Sequence, residues 1–270
     1  MNNPIELVHY VSWQLVAKED YGKTLAELKA GGVDTIVGHD VWGDPDPFGS
    51  MRHIRKLADA EGIRIPAAHG LWRRKYDLAF CESEGMEAHR KYIDALAECG
   101  VRTYTVHPGF SFNPVDDGFF SHMRDTMGLL IEACKGAGMV LAVENGVESM
   151  ENLGRAISLV AEFNTPYCGM CCDVGHANCF GHKVEEVIDA MSPWIVTMHL
   201  HDNHGVKDDH AAAGNGNIDW KLIGRKIPGL PRLIHVETET GTPTGDPMIY
   251  HACRKALDCP SIIVRKHQTR

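Results

Sequence analysis

His69, His107, Glu144, Asp173, His199 and Glu237 each close a short run of β-branched or apolar residues, and His176 follows Asp173 by three positions. Asp208 and His210 come soon after His199. Imidazole nitrogens and carboxylate oxygens together point to Mn²⁺, Zn²⁺, Co²⁺ or Mg²⁺. Gathered in one cleft without cations, so many ionisable groups would each cost several kcal/mol of unpaired burial. Bound divalent ions remove that cost. Glu144, Asp173, His199 and Glu237 suffice for one ion with positions left open to a substrate. The remaining His69, His107, His176, Asp208 and His210 can hold one or two more ions, or grip substrate hydroxyls and phosphate, so the expectation is one to three ions per chain.

Such residues meet only if the chain brings many strand ends together. Strand-like runs fall at 6–11, 34–39, 64–69, 102–107, 140–144, 167–173, 195–199 and 233–237. Between and after them, helix-period segments occupy 21–30, 51–61, 83–99, 119–137, 150–163, 183–191, 220–226 and 247–257. Gly32-Val33, Gly62-Ile63, Gly100-Val101 and Gly138-Met139 repeat one junction, a helix-ending glycine before a buried strand. This alternation predicts parallel βαβ units. A chain of 270 residues is close to the roughly 250 typical of a (β/α)8 barrel. We therefore expect an α/β fold, a single TIM-barrel domain over 1–270, in which the C-terminal strand ends converge on one mouth. An open nucleotide-binding sheet is disfavoured, since no GxGxxG follows the first strand and no GxxxxGK[ST] occurs.

The formal charge of −9 argues against a surface built on phosphate neutralisation. No apolar run reaches the roughly 20 residues of a membrane span, and the N-terminal residues carry no basic n-region followed by an apolar stretch. Nine scattered cysteines suit a reduced, cytoplasmic protein better than a disulfide scaffold. The expected partner is a small carbohydrate, with no membrane; a homo-oligomer is compatible with everything in the sequence.

Around the ligand-type residues the chain resembles the xylose-isomerase-like TIM-barrel superfamily, which includes sugar-phosphate isomerases and epimerases and the endonuclease IV type of AP endonuclease. The resemblance lies in Val106-His107-Pro108-Gly109, Val143-Glu144-Asn145, Cys172-Asp173-Val174-Gly175-His176, His199-Leu200-His201-Asp202-Asn203, Asp208-Asp209-His210, Gly214-Asn215-Gly216-Asn217-Ile218-Asp219-Trp220 and Val236-Glu237-Thr238. For the isomerases and epimerases it implies one ion held by Glu144, Asp173, His199 and Glu237, with the two glutamates carrying a proton between neighbouring carbons through an enediolate. For the endonucleases it implies a trinuclear zinc site, and all nine residues have counterparts there; nucleic acid is a partner only under that alternative. Three departures favour the small substrate. Val174-Gly175 stands where the endonucleases have Thr-Cys, His201-Asp202-Asn203-His204-Gly205 where they have Asn-Asp and a basic residue, and the Gly146-Val147-Glu148 stretch also differs. The arginine of ketohexose 3-epimerases has no match, Gly205 standing near its position.

Trp13, Trp42 and Trp72 each follow one of the first three strands and could line the mouth as stacking surfaces for a sugar. Arg73, in the run Arg73-Arg74-Lys75, could hold a substrate phosphate. The substrate-facing expectation is Trp13, Trp72 and Arg73.

Overall fold

A computed structural model of the protein describes residues 5–39, 46–111, 115–146, 148–179, 181–240 and 246–263. The apolar runs form parallel strands β1 (Ile5–Val8), β2 (Thr35–Gly38), β3 (Arg64–His69), β4 (Thr103–Val106), β5 (Val140–Glu144), β6 (Cys168–Asp173), β7 (Ile195–Leu200) and β8 (His235–Thr238). Their lateral order is β2-β3-β4-β5-β6-β7-β8-β1. The remaining seam, between β1 and β2, is joined by the parallel bridge His9–Ile36. A two-residue strand β9 (Ile262–Ile263), not expected from the sequence, pairs with Ile5 and Glu6 of β1. The result is a nearly closed (β/α)8 TIM barrel.

The helices are α1 (Tyr21–Ala30), α2 (Pro47–Ala60), α3 (Ser83–Ala97), α4 (Asp117–Gly136), α5 (Met150–Phe163), α6 (Val174–Cys179), α7 (Val184–Met191), α8 (Trp220–Lys226) and α9 (Pro247–Leu257). Of these, α6 is the addition to the expected set: it starts directly at the end of β6 and carries His176. The four helix-ending glycines have φ of 83°, 67°, 75° and 72°. After them Val33, Ile63, Val101 and Met139 donate backwards to Leu28, Ala58, Leu96 and Cys134 carbonyls. That is the glycine-capped closure of a helix, and it delivers each following strand at a fixed angle. Asp46, Asp116, Ser149, Asp219 and Asp246 cap the N-termini of α2, α4, α5, α8 and α9.

Alternation along the strands separates the core into two parts. In β5, Leu141 and Val143 join the large cluster under the helices, whereas Val140 and Ala142 belong to a small one with Cys171 and Val196. Glu144 continues this second face, so it ends at the barrel mouth. All nine cysteines are free and buried, and burial pushes the Cys168 and Cys253 thiols up to about 12. Among the described residues no helix is long and apolar enough to cross a membrane.

Where α8 meets α9, a methyl group on Gly224 would stand 1.8 Å from the Leu257 carbonyl oxygen. Gly224→Ala is expected to destabilise the protein by about 1–3 kcal/mol through forced separation of these helices. Chemical denaturation would show this as a lower unfolding midpoint at unchanged slope; an unmoved midpoint would mean that the contact yields freely.

Candidate active site and metal centre

The mouth is assembled from strand ends. His69, Glu144 and Asp173 are the last residues of β3, β5 and β6, His199 lies one residue before the end of β7, and His107 and Glu239 follow β4 and β8. His176 comes from α6. Asp208 and His210 sit in the loop from β7 to α8, which is folded back by Asp202. That buried residue forms a backbone bridge with Ala211, and its carboxylate accepts from the Gly214 and Ile218 N–H groups and the Trp220 indole. His210 itself has φ 45°, a left-handed backbone uncommon outside glycine.

Four groups of donor atoms result, three of them overlapping, the atoms of each lying within 4.8 Å of one another. The first is His69, His107 and Glu144; the second is Glu144, Asp173, His199 and Glu239; the third is His69, His199 and Glu239; the fourth is His176, His201, Asp208 and His210. Glu144 is common to two of them. Its Oε2 is 3.4 Å from both His69 Nε2 and His107 Nε2, and its Oε1 is 3.4 Å from His199 Nδ1. His199 Nδ1 is also 2.9 Å from Glu239 Oε2 and 3.7 Å from Asp173 Oδ2. Yet Glu144 Oε1 and Oε2, His199 Nδ1 and Glu239 Oε2 are buried without a hydrogen bond. Close approach without hydrogen-bond alignment is the geometry of atoms aimed at a shared centre. These N and O donors fit divalent cations of the Mn²⁺, Zn²⁺, Co²⁺ and Mg²⁺ kind.

The fields in the cleft agree with this fit. Burial alone would raise the Glu144 carboxyl, but the imidazoles of His199, His107 and His176 hold it well below the usual carboxylate range. Burial would lower His69 and His210, but the carboxylates of Glu144 and Asp208 raise them to about 9 and about 10. Surroundings that hold protons on imidazoles so firmly favour positive charge, which a metal ion supplies in their place.

Eight of the nine residues expected at the centre are thus brought together. Glu237 is the exception. Its carboxylate lies deeper in the barrel, where Oε1 accepts from Thr197 Oγ1 at 2.7 Å and faces His235 Nε2 at 3.1 Å. It reaches His199 only from below, Nε2 to Oε2 at 3.7 Å. The strand-eight carboxylate among the donors is Glu239, two residues further along the same strand face. His201 is a second donor beyond the nine expected residues.

A cavity of about 880 Å³ opens above the donors, with Glu144 and Glu239 in its lining but not Glu237. Trp72, about half exposed, and Arg73 line it as expected. Trp13 does not: its ring is fully buried, edge-on to Tyr21 at 5.0 Å, because a short 3-10 turn folds it into the core. Trp42 lies outside the described residues.

Comparison with known proteins agrees with this geometry. A family model described as xylose isomerase-like TIM barrel matches residues 22–254. The chain is 26% identical over 246 residues to the uncharacterized protein MJ1311 of Methanocaldococcus jannaschii, covering 87% of this chain and 72% of that one. It is 22% identical over 190 residues to L-ribulose-5-phosphate 3-epimerase UlaE of Salmonella paratyphi A, covering 66% of each. Among solved structures, the IolI protein with a bound zinc atom shares the fold at a TM-score of 0.71 and 15% identity, over 93% of this chain and 96% of the other.

Proposed function

The chain belongs to the xylose isomerase-like TIM-barrel family, and from that premise we propose that it is a divalent-metal-dependent isomerase or epimerase of a sugar, sugar phosphate or related polyol. The observation that carries this reading is the pairing of Glu144 and Glu239. Both carboxylates approach His199 Nδ1, at 3.4 and 2.9 Å, and both line the cavity. Moving a proton between neighbouring carbons of a sugar needs a base to take it and an acid to return it, and two carboxylates on one cavity can do both. Lewis acidity at the substrate's carbonyl oxygen is what a divalent ion held by Glu144, Asp173, His199 and Glu239 supplies. Trp72 offers a flat apolar surface to the carbon face of the sugar. Arg73, exposed at the rim of the same cavity, offers a fork of donors to a phosphate or to hydroxyls. Sugar epimerisation by the relative UlaE supports the reaction class.

One observation favours a second reading, hydrolysis of phosphodiesters at abasic sites by a trinuclear zinc centre: the donor groups overlap through His69, Glu144, His199 and Glu239, and His176 of the remaining group is 3.3 Å from Glu144. The lining of the cavity weighs against it. Among its described residues the permanent cations are Arg73 and Arg74, facing the carboxylates of Asp77, Glu144, Asp208 and Glu239. A DNA backbone is gripped by many more cationic contacts than that.

The deciding experiment is solvent exchange. The protein, loaded with Mn²⁺ or Zn²⁺, is incubated in D2O with a panel of ketoses, aldoses and their phosphates and followed by NMR. Deuterium is expected to enter one carbon of a converted sugar. An inert panel together with nicking of abasic-site DNA would establish the nuclease instead.

A further inference from the structure

His201 stands among the donor atoms of the mouth without being placed to share an ion with them. It is fully buried immediately after β7. Its ring lies flat on that of His210, with centroids 4.1 Å apart and planes 16° from parallel. An imidazole lone pair lies in the plane of its ring, so two rings stacked in this way aim within separate planes and do not converge on one cation. The contacts His201 does make are with metal-facing residues on two sides. Its Nε2 is 3.1 Å from each carboxylate oxygen of Asp173. Its ring meets His176 edge-on at 5.9 Å, and its Nδ1 faces Asp208 Oδ1 at 3.7 Å.

A carboxylate can only accept, so His201 Nε2 donates the proton it shares with Asp173. That bond restricts the rotation of a carboxylate whose Oδ1 also accepts from the His176 N–H at 2.6 Å. Outer hydrogen bonds of this kind keep metal ligands in orientation. The flat contact does the same for His210. The left-handed backbone of that residue, at φ 45°, is a conformation that persists only where its surroundings over-determine it. His210 Nδ1 lies 3.0 Å from the Glu239 carbonyl, and the His201 face adds a restraint perpendicular to the ring. Gly175 makes the space. A methyl group there would lie 1.9 Å from His201 Cε1. The Gly175 carbonyl is held at 2.8 Å by the buried Asn203 amide, so the backbone is not free to retreat. The two departures from the endonuclease pattern, at 175 and 201, are therefore one feature.

We propose that His201 is a positioning residue that couples two ion sites. Its Nε2–H orients Asp173 within the group of Glu144, Asp173, His199 and Glu239, and its face orients His210 beside His176 and Asp208. The inference rests on the metal fit of these donors and not on the identity of the substrate. Loss of a ligand is felt first at the ion it holds, whereas loss of a shared support is felt at both. Two substitutions separate the two attachments. Glutamine keeps a side-chain N–H for Asp173 and has no aromatic face. Phenylalanine keeps the face and has no donor.

Zn²⁺ binding to the chelator-stripped chain, measured by competition with a chromophoric chelator, tests this without any turnover. The binding classes are assigned with His199→Ala and His210→Ala, each of which removes a donor from one group. His201→Phe should weaken the His199 class by about 10–100-fold and the His210 class by less than about threefold. His201→Gln should reverse the order, weakening the His210 class about threefold to tenfold and leaving the His199 class within about threefold of the parent. Gly175→Ala, which displaces the ring while keeping the histidine, should weaken both. Circular dichroism of each stripped chain shows whether it is folded. Should His201→Phe or Gly175→Ala not fold, His201→Gln carries the test, and selective loss of its His199 class would overturn the proposal. So would a single zinc class in the parent, or parent-like binding by all three variants.

Discussion

If the proposed epimerisation is the reaction, Glu239→Gln is expected to lower kcat/KM on the order of 10³-fold and Glu237→Gln about tenfold or less. The two glutamates are two residues apart, Glu237 within β8 and Glu239 just past its end, and they differ in depth. Glu239 stands in the cavity lining with its Oε2 unpartnered beside His199, so an amide there removes both a proton carrier and an anionic ligand. Glu237 is held by Thr197 and His235 beneath the donors. A glutamine can still accept the Thr197 hydrogen bond, and what it loses is the carboxylate below His199 Nε2. Steady-state kinetics with metal content measured on the same samples separates the cases: Glu239→Gln should lose turnover and bind metal more weakly, whereas Glu237→Gln should stay loaded. A dead Glu237→Gln beside an active Glu239→Gln would return the catalytic role to the deeper residue.

Under the same proposal, removing metal is expected to have the second large effect. Exhaustive chelation should reduce turnover at least about 10³-fold, since charge stabilisation by a bound cation contributes several kcal/mol at the transition state. Mn²⁺, Co²⁺, Zn²⁺ or Mg²⁺ should restore it to different degrees. The stripped chain should also melt earlier, because carboxylates and imidazoles are left facing one another in a buried cleft. An ion at about 1,000 times its dissociation constant contributes about 4 kcal/mol of stability. Full turnover by a chain with no measurable metal would sink the metal-dependent reading. Unaltered melting would limit the ions to a chemical role.

Most of this centre is legible in the sequence because a barrel turns strand order into spatial neighbourhood. His69, His107, Glu144, Asp173 and His199 end or follow strands, and the closed sheet places them together whatever their separation along the chain. Depth within the mouth is harder to read. The two-residue period of a strand assigns Glu237 and Glu239 to the same face and does not say which is at the level of His199. Backbone register alone would point to Glu237, which pairs with His199. The side chains decide otherwise, since the donor nitrogen His199 Nδ1 meets Glu239 Oε2 at 2.9 Å and Glu237 faces Nε2 at 3.7 Å. His201 was hidden for a related reason: its value depends on the space at Gly175, a contact 26 residues away in sequence. Trp13 leaves the mouth for the core because a single 3-10 turn redirects it inward, and no period announces so short an element.

The seam of the barrel bears on how the chain is made. Strand β1 is bordered by β8, by β9 and, through His9, by β2, so it completes its pairing only after β8 and β9, which follow it by more than 220 residues, have emerged. Until then Ile5, Leu7 and Val8, all buried in the finished molecule, have no partners on one side, and β2 presents an open edge. Vectorial synthesis therefore runs against this topology. The growing polypeptide carries β1 open on one side until β8 emerges, and closure waits on contacts of long sequence separation, which form slowly. Faster elongation brings the late strands out sooner and shortens that exposure. Pausing before residue 262 lengthens it, and soluble yield should fall with the length of the pause.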